Sequence, residues 1–210
     1  MFTSPFYYKL LPLFQHQVIG LSQQVLIVFG SRHGSSAEIS QEIAKELAQQ
    51  HLPTDVVDLR VIPPQKWPSV KHYDGILAGS GIQITRWTNE PKQFLEEHRE
   101  QLNRKEKVLG LFVSCASFLL NPEKSRVDYC EKVAEEIGVH PSLCEVFGPV
   151  MDFSDSSTLD SLSESMLKTA AKGIIAEGTF FVNFEGRNDF RDWKRIRNFA
   201  KEFATLLTNC

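Results

Sequence analysis

The sequence VLIVFGSRHGSS, residues 25–36, joins an apolar run to a loop rich in glycine and serine. Residues 25–29 are apolar without alternation, which is typical of a strand that is covered on both faces. Beyond the loop, apolar residues recur at helical spacing until Pro53. The pattern therefore predicts a first central strand, a loop at its carboxyl end, and a helix.

The rest of the chain repeats this alternation of strand and helix signals. Further strands are predicted over residues 55–59, 74–80, 107–115 and 143–150, and 179–184 has a β-like pattern. Helices are predicted to open near Pro91, to run from near Pro122 to Gly138, and to cover 193–207. Such alternation predicts an α/β fold with an open, doubly wound parallel sheet, whose ligand lies at the carboxyl ends of the strands.

Composition narrows the classes of function. The chain has 210 residues, 42% of them hydrophobic, which suits one domain. A formal net charge of -3, from 26 acidic and 23 basic residues, argues against nucleic acid as a partner. The four cysteines are widely spaced without a C-x-x-C pair, which favours free thiols in the cytoplasm over a zinc site or a disulfide framework.

The first 23 residues form a separate part of the sequence. Pro5 and Pro12 interrupt their apolar and aromatic residues, so neither a helix nor an export signal is predicted there. We expect a flexible or surface-docked extension. No stretch of the chain approaches the roughly 20 apolar residues of a membrane-spanning helix, so no transmembrane segment is predicted.

The loop 31–36 has the composition of a phosphate site. Ser31, Ser35 and Ser36 offer hydroxyl donors, Gly34 permits close approach of the backbone, and the following helix turns its amide groups toward the loop. The alternative is an ordinary serine-capped turn. The position directly after the first strand favours the phosphate site. The chain has neither a G-x-x-x-x-G-K-[ST] nor a G-x-G-x-x-G motif, which argues against other nucleotide-binding loops.

This loop, Ser31-Arg32-His33-Gly34-Ser35-Ser36, resembles the T-x-T-G-x-T phosphate loop of flavodoxins, with serine hydroxyls in place of threonine. Two further stretches are similar to the flavodoxin-like, quinone-dependent protoporphyrinogen oxidase group. They are residues 74–97, with Gly79-Ser80-Gly81-Ile82 before Pro91-x-x-Phe94, and the final helix Asp192-Trp193-x-x-Ile196-x-x-Phe199.

The resemblance covers residues 25–207 and implies the details of the fold. It implies a five-stranded parallel sheet of order 2-1-3-4-5 with helices on both faces. The domain would span residues 24–210, with an insertion near 152–188. The implied cofactor is FMN.

Two more loops would then complete the flavin site. After the third strand, Ser80, Gly81 and Ile82 would form one wall, and Trp87 is the ring expected to stack on the flavin. Trp87 could instead be a surface or anchoring aromatic, with Ile82 or Ile84 as the wall.

The loop after the fourth strand would bind the pyrimidine edge of the flavin through the backbone of Ser114, Cys115 and Ala116. A lone cysteine at the end of a buried strand is expected to be a small packed residue and not a redox thiol.

Other side chains give weaker signals. Arg32 and His33 lie in the phosphate loop, where His33 could donate to the phosphate, and no histidine has the spacing of a metal ligand. No side chain is nominated as a catalytic acid or base. The apolar stripe over 159–175 could contact a quinone or a membrane surface, although a helix covering the sheet edge is favoured.

The resemblance implies an FMN-dependent oxidoreductase that oxidises a porphyrinogen and passes electrons to a quinone. One alternative is an electron carrier between partner proteins, which usually needs an acidic docking face, and the charge of -3 weakens it. Another alternative is a cofactor-free binding module.

Overall fold

The computed structural model describes residues 23–154, 157, 159–177 and 180–209. Apart from Gln23, the extension predicted over residues 1–23 lies outside the described residues. Within the described part of the chain, no helix is long and apolar enough to cross a membrane.

One five-stranded parallel sheet forms the centre of the molecule. Its strands are β1 Val25–Gly30, β2 Thr54–Asp58, β3 Gly75–Gly81, β4 Val108–Ser114 and β5 Leu143–Phe147. Their order is β2-β1-β3-β4-β5, and every neighbouring pair is parallel. The predicted fold class and strand order are confirmed. β1 and β4 are buried along their whole length, as expected of apolar runs without alternation.

Helices cover both faces of this sheet. On one face lie α1 Ser35–Gln49 and α6 Trp193–Thr208, which pack on Phe112 and Phe147. On the other face lie α2 Asn89–Leu102, α3 Pro122–Arg126 and α4 Lys132–Ile137, with a single π-helical segment Val127–Glu131 between the last two. The predicted start at Pro122 and stop at Gly138 are both confirmed.

The fifth predicted strand divides in two. β5 ends at Phe147, and Val150–Asp152 forms β6, which pairs antiparallel with β7 Arg187–Asp189 in a separate two-stranded sheet. The chain turns at Gly148, where a Cβ atom would lie 2.0 Å from the carbonyl oxygen of Phe190. Only glycine fits there, because a side chain would collide with this backbone.

Between β6 and β7 the chain forms α5 Ser161–Ala176. We call the described residues of 150–191 the excursion. Its apolar side chains form a small core of their own, which also contacts Ala116 and Leu119 just after β4. The excursion is thereby placed beside the carboxyl ends of the central strands.

The β-like pattern over 179–184 does not correspond to a strand in its described residues, since 180–184 form no ladder. Burial does alternate there, with Phe181 exposed and Val182 buried, which explains the β-like pattern. The backbone groups of Asn183, however, bond to the side chain of Asn188: its amide donates to Oδ1 and its carbonyl accepts from Nδ2, each at 2.8 Å. A side chain thus takes the place of a strand partner.

Candidate functional site

Three loops meet at the carboxyl edge of the sheet. The register pairs Gly30 of β1 with Ser80 of β3, and Gly81 with Ser114 of β4, so the strands end side by side. The loops enclose a cavity of about 350 Å³. Ten of the predicted cofactor residues line it: Ser31, Arg32, His33, Ser35, Ser36, Gly81, Ile82, Ser114, Cys115 and Ala116.

The loop 31–36 leaves several hydrogen-bond donors free. Gly34 adopts φ +86°, a left-handed conformation that favours glycine, and α1 begins directly after it without a side-chain cap. The hydroxyl of Ser31 is buried and has no hydrogen-bond partner among the described residues. Buried polar atoms are normally paired, so this end of the cavity is suited to an anionic group.

A chain of hydroxyls joins the first loop to the third. Ser114 Oγ donates to the carbonyl oxygen of Gly148 at 3.0 Å, so the 3.1 Å contact between Ser35 and Ser114 has Ser35 as its donor. The amide of Ile82 also donates to the carbonyl of Ser114 at 3.0 Å. These bonds fix the three loops relative to one another.

The match of the loop 31–36 to T-x-T-G-x-T with serine hydroxyls is incomplete. Ser31 and Ser36 take the places of the first and last threonines, but His33 occupies the place of the middle one. Burial lowers the pKa of His33 below its ordinary value of 6.5; the carboxylate of Asp160 opposes this shift, while Arg32 and Arg60 reinforce it. The imidazole is therefore mostly neutral at neutral pH and can donate one hydrogen bond.

Three of the predicted site residues do not line the cavity: Gly34, Ser80 and Trp87. Ser80 is fully buried, and its hydroxyl accepts from the amide of Thr88 at 2.9 Å. Trp87 is 6% exposed and lies in the core, where Nε1 donates to the carbonyl oxygen of Tyr129 at 2.6 Å. This placement leaves Trp87 no face for the stacking that we expected from the sequence.

One wall of the cavity comes from α5, which we did not predict as part of the site. Ser163, Met166, Leu167 and Ala170 face the cavity. Within the apolar stripe, Ala171 and Ile174 pack into the core of the excursion. The stripe thus serves a core and a cavity, whereas we favoured a helix covering the sheet edge. The extent of the apolar stripe, over 159–175, was the sequence signal that could have indicated this second role.

The second loop reaches α5 across the cavity. The segment 83–86 is a tight turn in which the amides and carbonyls of Gln83 and Arg86 bond to each other at 3.0 and 3.1 Å. From this turn, Gln83 Nε2 donates to Ser163 Oγ at 3.4 Å. This contact joins the second loop to the start of α5.

Two acidic groups of the cavity differ in charge at neutral pH. Burial raises the pKa of the Cys115 thiol, so it stays protonated and packs as a small side chain, as we expected. The Ser154 hydroxyl lowers the pKa of the Asp152 carboxyl, so this group is an anion.

Known proteins resemble this chain over most of its length. Protoporphyrinogen IX dehydrogenase (quinone) of Escherichia coli strain K12 is 23% identical over 186 residues, which are 87% of this chain and 96% of that protein.

Among solved structures, rubredoxin oxygen:oxidoreductase of Desulfovibrio gigas matches with a TM-score of 0.54 and 9% identity over 89% of this chain. This chain spans 36% of that protein's length. A flavone reductase matches with a TM-score of 0.50 and 12% identity, covering 89% of this chain and 64% of its own. At these identities the two structures show a shared fold.

The model of one protein family, described as the flavodoxin domain, matches residues 26–173. This region holds β1 from its second residue, β2 to β5, all three loops and most of α5. The chain belongs to the flavodoxin domain family.

Proposed function

We propose that the protein is an FMN-dependent oxidoreductase that binds its cofactor in the cavity between the three loops and α5. The observation that carries the proposal is the combination, in one cavity, of free donors at the loop 31–36 and an apolar wall on α5. FMN has this division, with a phosphate at one end and a flat ring at the other.

The loop 31–36 would hold the phosphate. The uncapped amides at the start of α1 lie at the positive end of the helix dipole, which favours an anion. The unpartnered hydroxyl of Ser31 can donate to a phosphate oxygen, and Arg32 adds a cation at the rim. These groups match a dianion better than a neutral ligand.

The apolar part of the cavity would hold the ring. Ile82 and the α5 side chains Met166, Leu167 and Ala170 offer a surface without charge, and they keep water from it. Bound FMN would supply the hydride or electron transfer, while the chain orients it and sets its potential. We nominate no side chain as an acid or base.

We further propose that a porphyrinogen reduces the flavin and that a quinone reoxidises it. The E. coli relative supports this assignment, because it is named a protoporphyrinogen IX dehydrogenase (quinone) and almost its whole length matches this chain. An electron carrier would need an exposed flavin edge for a partner protein, and the contact between Gln83 and Ser163 closes one side of the cavity. A cytoplasmic location is part of the proposal and suits the free thiols of Cys115, Cys130 and Cys144.

We also propose the domain division suggested by the sequence. Residues 24–210 form one flavodoxin-like domain with an insertion near 152–188, which contains α5.

Titration with FMN and with riboflavin tests the phosphate site. We expect tighter binding of FMN, and Ser31→Ala should weaken FMN about fivefold to tenfold while leaving riboflavin unchanged, because one hydrogen bond to a charged group is lost. Ser163→Ala is the matched control, since Ser163 lines the same cavity on α5. It should leave the ratio of the two affinities unchanged. Equal affinities for FMN and riboflavin in the wild type would refute the phosphate site.

An anaerobic spectrum tests the substrates. Protoporphyrinogen IX should bleach the absorption of bound FMN, and a quinone should then restore it. If the porphyrinogen leaves the flavin oxidised while a nicotinamide-linked or ferredoxin-type reductase reduces it, the electron-carrier function would replace the oxidase function.

A further inference from the structure

A buried arginine connects the excursion to the start of α1. The side chain of Arg191 is 1% exposed, and its Nη2 donates at 2.6 Å both to Glu38 and to Asp189. Its Nε donates to Asp189 at 2.8 Å, and its Nη1 lies 3.5 Å from the carbonyl oxygen of Ser35. The guanidinium also lies over the ring of Trp193, 4.3 Å from its centroid. Arg191 is therefore held in one position and contacts the loop 31–36 through Ser35.

Glu38 explains why such a contact matters. It lies in the first turn of α1, and its Oε1 is 3.9 Å from the position that a Cβ atom would take on Gly34. A carboxylate this close to the start of a helix would repel an anion bound there. Arg191 and Arg187 both bond to this carboxylate, the latter at 3.0 Å.

The charges of this cluster balance. Two guanidinium groups, Arg187 and Arg191, face two carboxylates, Glu38 and Asp189. Each guanidinium contacts both carboxylates. Loss of Arg191 would leave two carboxylates with one guanidinium beside the loop. The excess negative charge would repel a phosphate group. A ligand without a phosphate would not experience this repulsion.

We propose that Arg191 is a positioning residue for the phosphate monoester of the cofactor. It neutralises Glu38 and contacts the Ser35 carbonyl, so that the loop 31–36 presents its donors to the phosphate. The inference rests on the proposed binding of FMN and adds that the excursion, which contributes Arg187, Asp189 and Arg191, completes the anion site from outside the three loops.

The test compares FMN with riboflavin as ligands of purified protein. Arg191→Gln should raise the dissociation constant of FMN about fivefold to tenfold and leave that of riboflavin within about twofold, because only FMN carries the repelled charge. Glu38→Gln should lower the dissociation constant of FMN. The double variant Arg191→Gln, Glu38→Gln should restore the wild-type ratio of the two constants.

Arg197→Gln is the control, because Arg197 pairs with Glu42 of α1 at 2.9 Å, one turn beyond Glu38. It should leave the ratio unchanged. If Arg191→Gln does not fold, Arg187→Gln replaces it in the test, because Arg187 is half-exposed. This substitution should raise the dissociation constant of FMN by a smaller factor.

Each contrary outcome has its own meaning. Equal losses of FMN and riboflavin in Arg191→Gln would show a purely structural role and overturn the inference. An unchanged ratio in Arg191→Gln, or in Arg187→Gln where Arg191→Gln does not fold, would also overturn it. A wild-type protein that binds FMN and riboflavin equally would overturn the proposed function, and the inference with it.

Discussion

The indole of Trp87 is the site residue whose environment differs most from our expectation. It packs in the core formed with α2 and α4, and its hydrogen bond goes to Tyr129 in the π-helical segment. A tryptophan in a loop rich in glycine and polar residues suggests a ligand contact. The ring nevertheless buries both its faces and its single donor.

Substitution of Trp87 separates packing from flavin contact. Trp87→Phe should lower the free energy of unfolding by about 1–3 kcal/mol, because the Tyr129 carbonyl loses its donor, and Trp87→Ala by about 3–5 kcal/mol, because a cavity forms. Urea unfolding measures both. The absorption spectrum of bound FMN should stay unchanged in Trp87→Phe.

Trp67→Phe is the matched control, since Trp67 Nε1 also donates to a carbonyl, that of Leu59 at 3.1 Å, outside the cavity. A spectral shift in the Trp87 variant alone would restore the stacking role that we expected from the sequence.

Among the structural elements, the turn 83–86 carries local strain. Its central residues, Ile84 and Thr85, have φ angles of +49° and +59°. Both are β-branched, and such residues in the left-handed region cost roughly 1–2 kcal/mol each. Both also line the cavity, and strained backbone is often found at functional sites.

Replacement of the two central residues by Asn-Gly should relieve this strain. The double variant Ile84→Asn, Thr85→Gly should raise the free energy of unfolding by about 1–2 kcal/mol, because Asn and Gly are the preferred residues of a turn with two positive φ angles. Thermal unfolding measures the gain. Val61→Asn is the control: it also removes an exposed apolar side chain, at a residue without a positive φ, and should give no gain. A lower melting temperature in the double variant would contradict the strain.

In the whole molecule, the central sheet and the excursion contribute different parts of the site. The sheet supplies the loop 31–36 and its two neighbours, which the order of parallel strands brings to one edge. The excursion supplies the α5 wall and the Arg191 cluster, from residues far along the chain. We therefore expect substitutions in the excursion to affect the proposed binding of FMN even where they contact no part of the three loops.

Local patterns in the sequence were enough for the central architecture. The apolar run 25–29 predicted β1, because a strand buried on both faces needs apolar residues at every position. Four shorter strand patterns predicted β2 to β5. Glycine and serine after β1 predicted the first loop, since helix starts and anion sites both use these residues. The resemblance to flavodoxins added the strand order.

Tertiary structure alone decided the rest of the site. A stripe of apolar residues indicates that α5 buries one face, but it does not indicate whether a core or a cavity lies against that face. Trp87 and Tyr129 are 42 residues apart, and Arg191 and Glu38 are 153 apart, so no local pattern links either pair. The turn at Gly148 likewise depends on the backbone of Phe190. The reason is physical: local sequence encodes which groups must be buried or paired, whereas the packing of distant elements selects their partners.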